Sequence, residues 1–394
     1  MEELTCVIIG GGHAGLQAAK ALLNVSKELQ GSRRLRLILI DKQPYHVRKV
    51  LLFRPAVGEE DITIPLAKLF PDDVQVIQGT ATKVDGGKKR LLVRDANGNE
   101  TSMPYDLLIA AIGSTVRQPA PVQGGIALTG LESAAAIRER WRSNMRRAAG
   151  EPGGAERLRL MSAAVAGAGI SGVETSAELA HAMREEAAAL GLDPRAVKVY
   201  LINAHDRLFQ EGPAKVGRKL ERLLTDSGVT VLHRRKALQE SDGRLWFESG
   251  EPLPVGLSIW ALGLEPNPAL RSIGLPLTPE GRVLVDACYR VHGMAGVYSI
   301  GDCAGIVDPV SGRPDGMTCK EGSMQAIRLG KIVTADLQGL PAPSHKAVMD
   351  FFCIGLGPNR GLVWTRKWGL DMIMTGKLAW NLKKWVWNHA SLLQ

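Results

Sequence analysis

The sequence is poor in aromatic residues and cysteines, and it lacks a long apolar run. Aromatics are 5% of 394 residues, and no RNA-binding aromatic signature appears, which argues against a nucleic-acid surface. The five cysteines, Cys6, Cys288, Cys303, Cys319 and Cys353, are odd in number and widely spaced. No Cys-x-x-Cys occurs, so neither a disulfide framework nor a zinc ribbon is indicated, and no metal is expected. A reducing, cytoplasmic setting fits that usage. No stretch of about 18 apolar residues exists, so no transmembrane helix is expected. The opening Met1-Glu2-Glu3-Leu4 is acidic and runs straight into an apolar strand, unlike a signal peptide.

Apolar residues at 45% and charged residues at 23% are normal for a globular chain. At roughly 150 residues per domain, the length predicts two to three domains. The net charge of +9 admits nucleic acid, anionic lipid or phosphate-bearing cofactors as partners. It concentrates in two places. One is the arginine-rich stretch 138–159, with Arg138, Arg140, Arg142, Arg146, Arg147, Arg157 and Arg159, which reads as a solvated basic face. The other is the C-terminal end, with Lys377, Lys383 and Lys384.

Hydrophobic patterning predicts a βαβ unit: a buried strand at 5–9, a helix at 14–30, and a strand at 35–40 that closes on Asp41. Strands follow at 74–78 and 90–94, and Asn97-Gly98 suggests a hairpin. The strand 107–112 closes on Gly113. The pattern then recurs with a strand at 160–166, a helix at 173–190, a strand at 197–202, and a strand at 257–262 that closes on Gly263. Gly10 and Gly167, which open the two turns, stand 157 residues apart (167 − 10). That is a duplicated nucleotide-binding fold rather than a short repeat. The fold class is therefore α/β, with two Rossmann-like domains.

Each copy carries a GxGxxG turn between a strand and a helix. The first is Gly10-Gly11-Gly12-His13-Ala14-Gly15. Glycines allow the tight turn and let backbone approach a pyrophosphate, which the helix N-terminus favours. Asp41, followed by Lys42, closes the next strand, where an acid can bind ribose hydroxyls. The second turn is Gly167-Ala168-Gly169-Ile170-Ser171-Gly172-Val173-Glu174. Two such turns suggest one resident and one exchanging dinucleotide, FAD with NADH or NADPH. At the acid position of the second copy stands Asn203, with His205 and Arg207 nearby. Asn203 can bind a 2′-hydroxyl, and the missing carboxylate with its neighbouring cations equally suits a 2′-phosphate.

The order of these turns, with Ala111-Ile112-Gly113, Trp260-Ala261-Leu262-Gly263 and Val297-Tyr298-Ser299-Ile300-Gly301-Asp302, resembles the two-dinucleotide-binding-domain flavoproteins over residues 4–340. The resemblance implies an FAD-binding domain in two parts, 1–125 and 276–340, an NAD(P)-binding domain at 126–275, and an extension at 341–394. It also implies that Asp302 holds the ribityl chain of FAD. Without a close cysteine pair, electrons are expected to pass from flavin directly to an acceptor.

Further stretches resemble the type II NADH dehydrogenases and the related apoptosis-inducing-factor-like quinone reductases. They are Pro44-Tyr45-His46, Phe352 to Gly357 with Arg360 to Val363, and Thr375 to Trp380 with Lys383-Lys384. That resemblance implies a quinone-like acceptor and places Glu174 near nicotinamide and flavin. A carboxylate there can relay a proton, or act only as a first-turn acid. The family's quinone-site helix carries glutamines where this chain has Cys319-Lys320-Glu321-Gly322-Ser323-Met324. Lys320 can stabilise an anionic flavin or a quinone oxygen, or pair with Glu321 at the surface.

The C-terminal segment holds Trp364, Trp368, Trp380, Trp385 and Trp387. On a helix at 377–389, Leu378, Leu382, Trp385 and Val386 share one face, and Trp380 and Trp387 share the other with Lys383 and Lys384. Tryptophans among lysines suit a membrane surface, so residues 377–394 are expected to contact the inner face of a membrane peripherally. The alternative is a homodimer contact. A soluble reductase of a small electron-carrier protein, meeting its partner through the basic surface, and a redox-sensing flavoprotein are the other functional readings.

Overall fold

The computed structural model describes residues 2–28, 33–70 and 72–390. The predicted duplication is present as two parallel five-stranded sheets built to one plan. In the first, the order is Val297–Ser299, Leu107–Ala110, Glu2–Ile9, Arg33–Asp41 and Val74–Gln78. In the second it is Ile126–Ala127, Leu257–Trp260, Ser162–Ala166, Lys198–Ile202 and Val229–Leu232. The strands are short apolar runs because both faces of a parallel sheet are covered. Cys6, Val7, Ile8 and Ile9 are all buried.

The helices of the described residues are α1 (His13–Glu28), α2 (Phe53–Val57), α3 (Leu66–Leu69), α4 (Leu131–Gly150), α5 (Gly154–Leu160), α6 (Ile170–Ala189), α7 (Ala214–Asp226), α8 (Cys319–Gln338) and α9 (Gly376–Ala390). Residues 29 and 30 of the expected first helix lie outside the described residues. Helices α1 and α8 lie together on one face of the first sheet. The hairpin around Asn97-Gly98 joins Arg90–Arg94 to Glu100–Pro104. In the motif Val297 to Asp302 the strand ends at Ser299, and the chain turns through Gly301–Cys303.

Two crossovers, Ser114–Val116 and Leu264–Pro266, pair antiparallel and clasp the halves together. The larger core lies beyond them. It gathers Leu51, Phe53 and Ile62 with α4, α6 and the C-terminal Ile354, Trp364, Trp380 and Trp387. A third sheet, Phe351–Gly355, Gly361–Lys367 and Leu370–Thr375, carries α9.

The arginine-rich stretch is only partly a solvated face. Arg138 donates to the carbonyls of Pro55 and Gly58 at 3.3 and 2.6 Å, tying α4 to α2. Arg159 grips Glu156 and the Val255 carbonyl, and Arg157 binds the Glu151 carbonyl. These guanidiniums replace backbone partners that loops would otherwise leave unpaired.

The reading of α9 as an interfacial helix through Trp380, Trp387 and Lys383 is overturned. All three point inward and are buried. The two indoles stack edge to face at 5.2 Å, and Phe53 lies 5.7 Å from Trp387. The lysine accompanies them inward because an acid waits there. Leu378 and Trp385, 71% and 57% exposed, form the outer face instead.

Candidate functional site

The two glycine turns have the same geometry. Gly10 and Gly167 have φ of +107° and +118°. A Cβ on either would lie 2.4 or 2.2 Å from the carbonyl oxygen of Ala111 or Ala261. A Cβ on Gly15 or Gly172 would lie 1.8 Å from the carbonyl of Gly10 or Gly167, so the helix closes onto its own strand only through glycine. At Gly12 and Gly169 a Cβ would meet nothing within 4 Å. Those positions leave open cradles at the first turns of α1 and α6, which is what a pyrophosphate requires. Ala14 lies in the first turn of α1, as Ile170 and Ser171 do in that of α6. The Gly113 and Gly263 turns, with φ of +74° and +86°, are likewise open.

Asp41 sits beside the first cradle. Its Oδ2 accepts from Gly11 N–H at 2.6 Å and its Oδ1 from Gln43 N–H at 2.8 Å, while Lys42 is exposed. His46 donates from Nδ1 to the Gly11 carbonyl at 3.0 Å. Burial pushes its pKa down to about 4, so this imidazole is neutral. His13 Nε2 lies 2.8 Å from Ser323 Oγ and 2.9 Å from the Cys319 carbonyl, joining the first turn to α8.

Asp302 Oδ2 accepts from Ser114 Oγ at 2.6 Å. Gly301 N–H donates to Gln325 Oε1 at 2.7 Å, and Gln325 Nε2 donates to Asp315 at 2.8 Å. The chain continues through His345 to Tyr289 and Arg328. The Gly301-Asp302 turn is therefore braced from within by α8 and by the segment that follows it.

Glu174, in the second turn cradle's helix, is 3% exposed. Its Oε1 accepts from Gly355 N–H at 2.9 Å and lies 2.9 Å from Lys383 Nζ, which also donates to the Cys353 carbonyl at 2.8 Å. One turn on, Glu178 is buried with Oε1 3.8 Å from Arg54. Burial raises its pKa to about 7, opposed by Arg54 and reinforced by Glu174 and Glu60. Arg54 lies 5.4 Å from the rings of Phe53, Trp380 and Trp387. A cavity of about 270 Å³, lined among others by Arg54, Glu60 and Trp387, opens from this cluster to solvent.

Lys320 stands apart from Glu174 in its bonding. Its amine donates to the Met349 carbonyl at 3.0 Å, and burial lowers its pKa. Glu321 does not pair with it. That carboxylate instead ties down the turn before α8, accepting from Gly316 N–H and Thr318 Oγ1. Asn203 is buried, and its amide is spent on its own turn and on His233 of the next. All five cysteines are free thiols. Burial raises every one of them, Cys6 to about 12 and Cys319 and Cys353 to about 11. None is poised as a thiolate nucleophile. Among the described residues no group of three or more His, Cys, Asp or Glu could hold a metal.

Sequence reasoning missed Ser114, Gln325, Arg54, Glu178 and the inward role of Lys383. Only Glu178 left a local signal, an acid one helical turn after Glu174.

Residues 4–328 match the family described as pyridine nucleotide-disulphide oxidoreductase. The oxidoreductase ptaL of Pestalotiopsis fici is 27% identical, with 90% of each chain covered. A type II NADH:quinone oxidoreductase of Staphylococcus aureus is 23% identical, covering 96% of this chain and 92% of its own. The fold is also that of NDH2 from Plasmodium falciparum, solved with NADH. It matches with a TM-score of 0.82 at 16% identity, over 99% of this chain and 95% of that one.

Proposed function

The chain belongs to the pyridine nucleotide-disulphide oxidoreductase family, and from that premise we propose an FAD-dependent NAD(P)H oxidoreductase with a quinone-like acceptor. The observation that carries the reading is the pair of matched open glycine cradles, with five burial-raised thiols and no disulfide between them. FAD, when bound, takes a hydride from NAD(P)H and gives two electrons to the acceptor. The name of the Staphylococcus relative supports a quinone as that acceptor.

On this reading the chain's own residues divide the work. Gly10, Gly12 and Gly15 seat the FAD pyrophosphate, Asp41 its adenosine ribose, and Asp302 its ribityl chain. Gly167, Gly169 and Gly172 seat NAD(P)H, and Gly113 and Gly263 keep the backbone clear where the halves meet. The quinone needs two protons as well as two electrons. NAD(P)H carries one of them in the hydride, and the other comes from solvent. Glu174 and Lys383, paired at the first turns of α6, are the groups that pass it to the acceptor, with Glu178 and the cavity at Arg54 beside them.

The same proposal includes peripheral contact with the inner face of a membrane. Trp368, Leu370, Met372, Met374, Leu378 and Trp385 are exposed together on the third sheet and α9. Lys215, Arg218, Lys219 and Arg222 on α7 line a groove of about 500 Å³ beside Ile373. Such a basic and apolar mixture suits anionic headgroups. No helix of the described residues is long and apolar enough to cross a membrane.

The test is an anaerobic visible spectrum of the purified protein with NADH or NADPH, then a water-soluble quinone. Bleaching of a yellow protein, restored by quinone, is expected. Bleaching that quinone does not reverse would redirect the search to protein carriers.

A further inference from the structure

We propose that the second cradle selects NADPH over NADH, with Arg234 and His205 receiving the 2′-phosphate. The inference rests on the reading above and names the nucleotide for that site. Strands Ser162–Ala166, Lys198–Ile202 and Val229–Leu232 lie side by side and end level, with Ala166 opposite Ile202 and Ile202 opposite Leu232. A nucleotide laid from the Gly167 turn along these ends crosses the turn after Ile202 first and the turn after Leu232 next. The second turn lies two strand spacings away, roughly 10 Å.

The first of these turns holds no ribose-binding carboxylate at its start. Asn203 is not a substitute, because its amide is used up. Its Oδ1 accepts from His205 N–H at 3.2 Å, and its Nδ2 reaches the Arg207 carbonyl and His233 Nδ1, both at 2.9 Å. It shapes the turn and leaves the 2′ position to others.

Most of the cations here are also committed. The Arg207 guanidinium donates to the carbonyls of Phe209, Gln210 and Gly212. Arg235 donates to the Ser249 carbonyl at 2.6 Å and lies over Phe247. Lys236 pairs with Glu248 at 3.0 Å. Two exposed groups remain, His205 and Arg234. The Arg234 backbone N–H donates to the His205 carbonyl at 2.9 Å, which fastens the two turns to each other. The nearby acid, Asp206, accepts from Gln210 at 3.0 Å; that bond, with the field of Arg234 and Arg207, lowers its pKa and keeps it ionised. A guanidinium and an imidazole at a ribose position that has Asn203 in place of the strand-end carboxylate match a phosphate monoester and have no comparable partner in a 2′-hydroxyl.

Arg234 has φ of +54°, a conformation that asparagine tolerates well, so R234N is the variant of choice and R234K the conservative control. FAD-loaded protein is titrated calorimetrically with NADP⁺ and with NAD⁺, at low and at high salt. The expected result is tighter binding of NADP⁺ by at least about tenfold, weakening with salt. The NADP⁺:NAD⁺ affinity ratio is expected to fall roughly tenfold to a hundredfold in R234N and to be largely kept in R234K. Equal or tighter binding of NAD⁺, or an unchanged ratio in R234N, overturns the inference. Anaerobic bleaching separates the two levels of the argument. Reduction by NADH in preference to NADPH overturns this inference and leaves the oxidoreductase reading standing, and reduction by neither nucleotide defeats that reading itself.

Discussion

The pair of Glu174 and Lys383 shows how one residue's role can be half visible in a sequence. Glu174 was legible because it follows the second glycine turn by two positions. Its partner was not, because it lies 209 residues away (383 − 174) on a helix whose inner face no local pattern reveals. Replacing Lys383 by Met leaves a buried carboxylate uncompensated, and a loss of about 3–5 kcal/mol is expected in urea unfolding. The double variant E174Q/K383M should regain much of that stability while remaining impaired in quinone turnover. A double variant no more stable than K383M would show that the two groups are not coupled. Glu178 gives a second prediction, in pH. Its folded pKa of about 7 lies above the ordinary 4.5, so between those values the folded state holds the extra proton. Its contribution to stability is therefore full below about pH 4.5, is lost as pH rises through about 7, and is flat beyond. E178Q should remove that decline and be more stable than the parent above pH 7, by up to about 3 kcal/mol. His46 works the other way, since its folded pKa of about 4 lies below 6.5 and stability drops as pH falls through that window. Unfolding of E178Q at about pH 5 and about pH 8 isolates the first effect.

At the scale of elements, the Rossmann strands and their first helices were read to within a few residues of their ends, because a buried parallel strand is a short apolar run and its turn is a glycine, whereas α4 and α5 were not read as helices. What could not be read was which face of α9 turns inward. The periodicity grouped Trp380, Trp387 and Lys383 correctly. Lysine among indoles reads as interfacial unless an acid on another element neutralises it, and here Glu174 does so. Trp387→Ala should therefore cost about 3–5 kcal/mol, as for a buried indole, rather than nothing, as for a surface one. A thermal melt decides between them. The glycine turn divides into two kinds of position. Gly15→Ala would drive a Cβ to 1.8 Å from the Gly10 carbonyl and should lower stability and flavin content together. Gly12→Ala meets no protein atom within 4 Å, so it should fold normally and retain FAD poorly, with the added methyl standing where the pyrophosphate belongs. Melting and flavin absorbance of the two variants as purified separate these outcomes.

For the whole molecule, the duplication was plain in the sequence, since two glycine turns and two closing strands recur in the same order. The third sheet and the shared core were not, because they join residues near 53 to residues near 354 and 387 across the entire chain. The exposed apolar surface of that sheet yields a prediction at this scale. Changing Trp368, Leu370, Leu378 and Trp385 together to Ser should abolish sedimentation with anionic vesicles. Turnover of a water-soluble quinone should continue, because none of the four lines either glycine cradle. Persistence of vesicle binding would move the contact elsewhere, and a change in oligomeric mass instead would mark a dimer face. The long reach of the shared core also bears on how the protein is made. On a ribosome adding about 5–20 residues each second, Glu174 emerges some 10–40 seconds before Lys383. Throughout that interval α6 carries an acid that must stay hydrated, so its share of the core cannot close. A nascent chain halted anywhere in those 209 residues (383 − 174) would expose the surface that chaperones and proteases recognise, so closure of this core waits on α9.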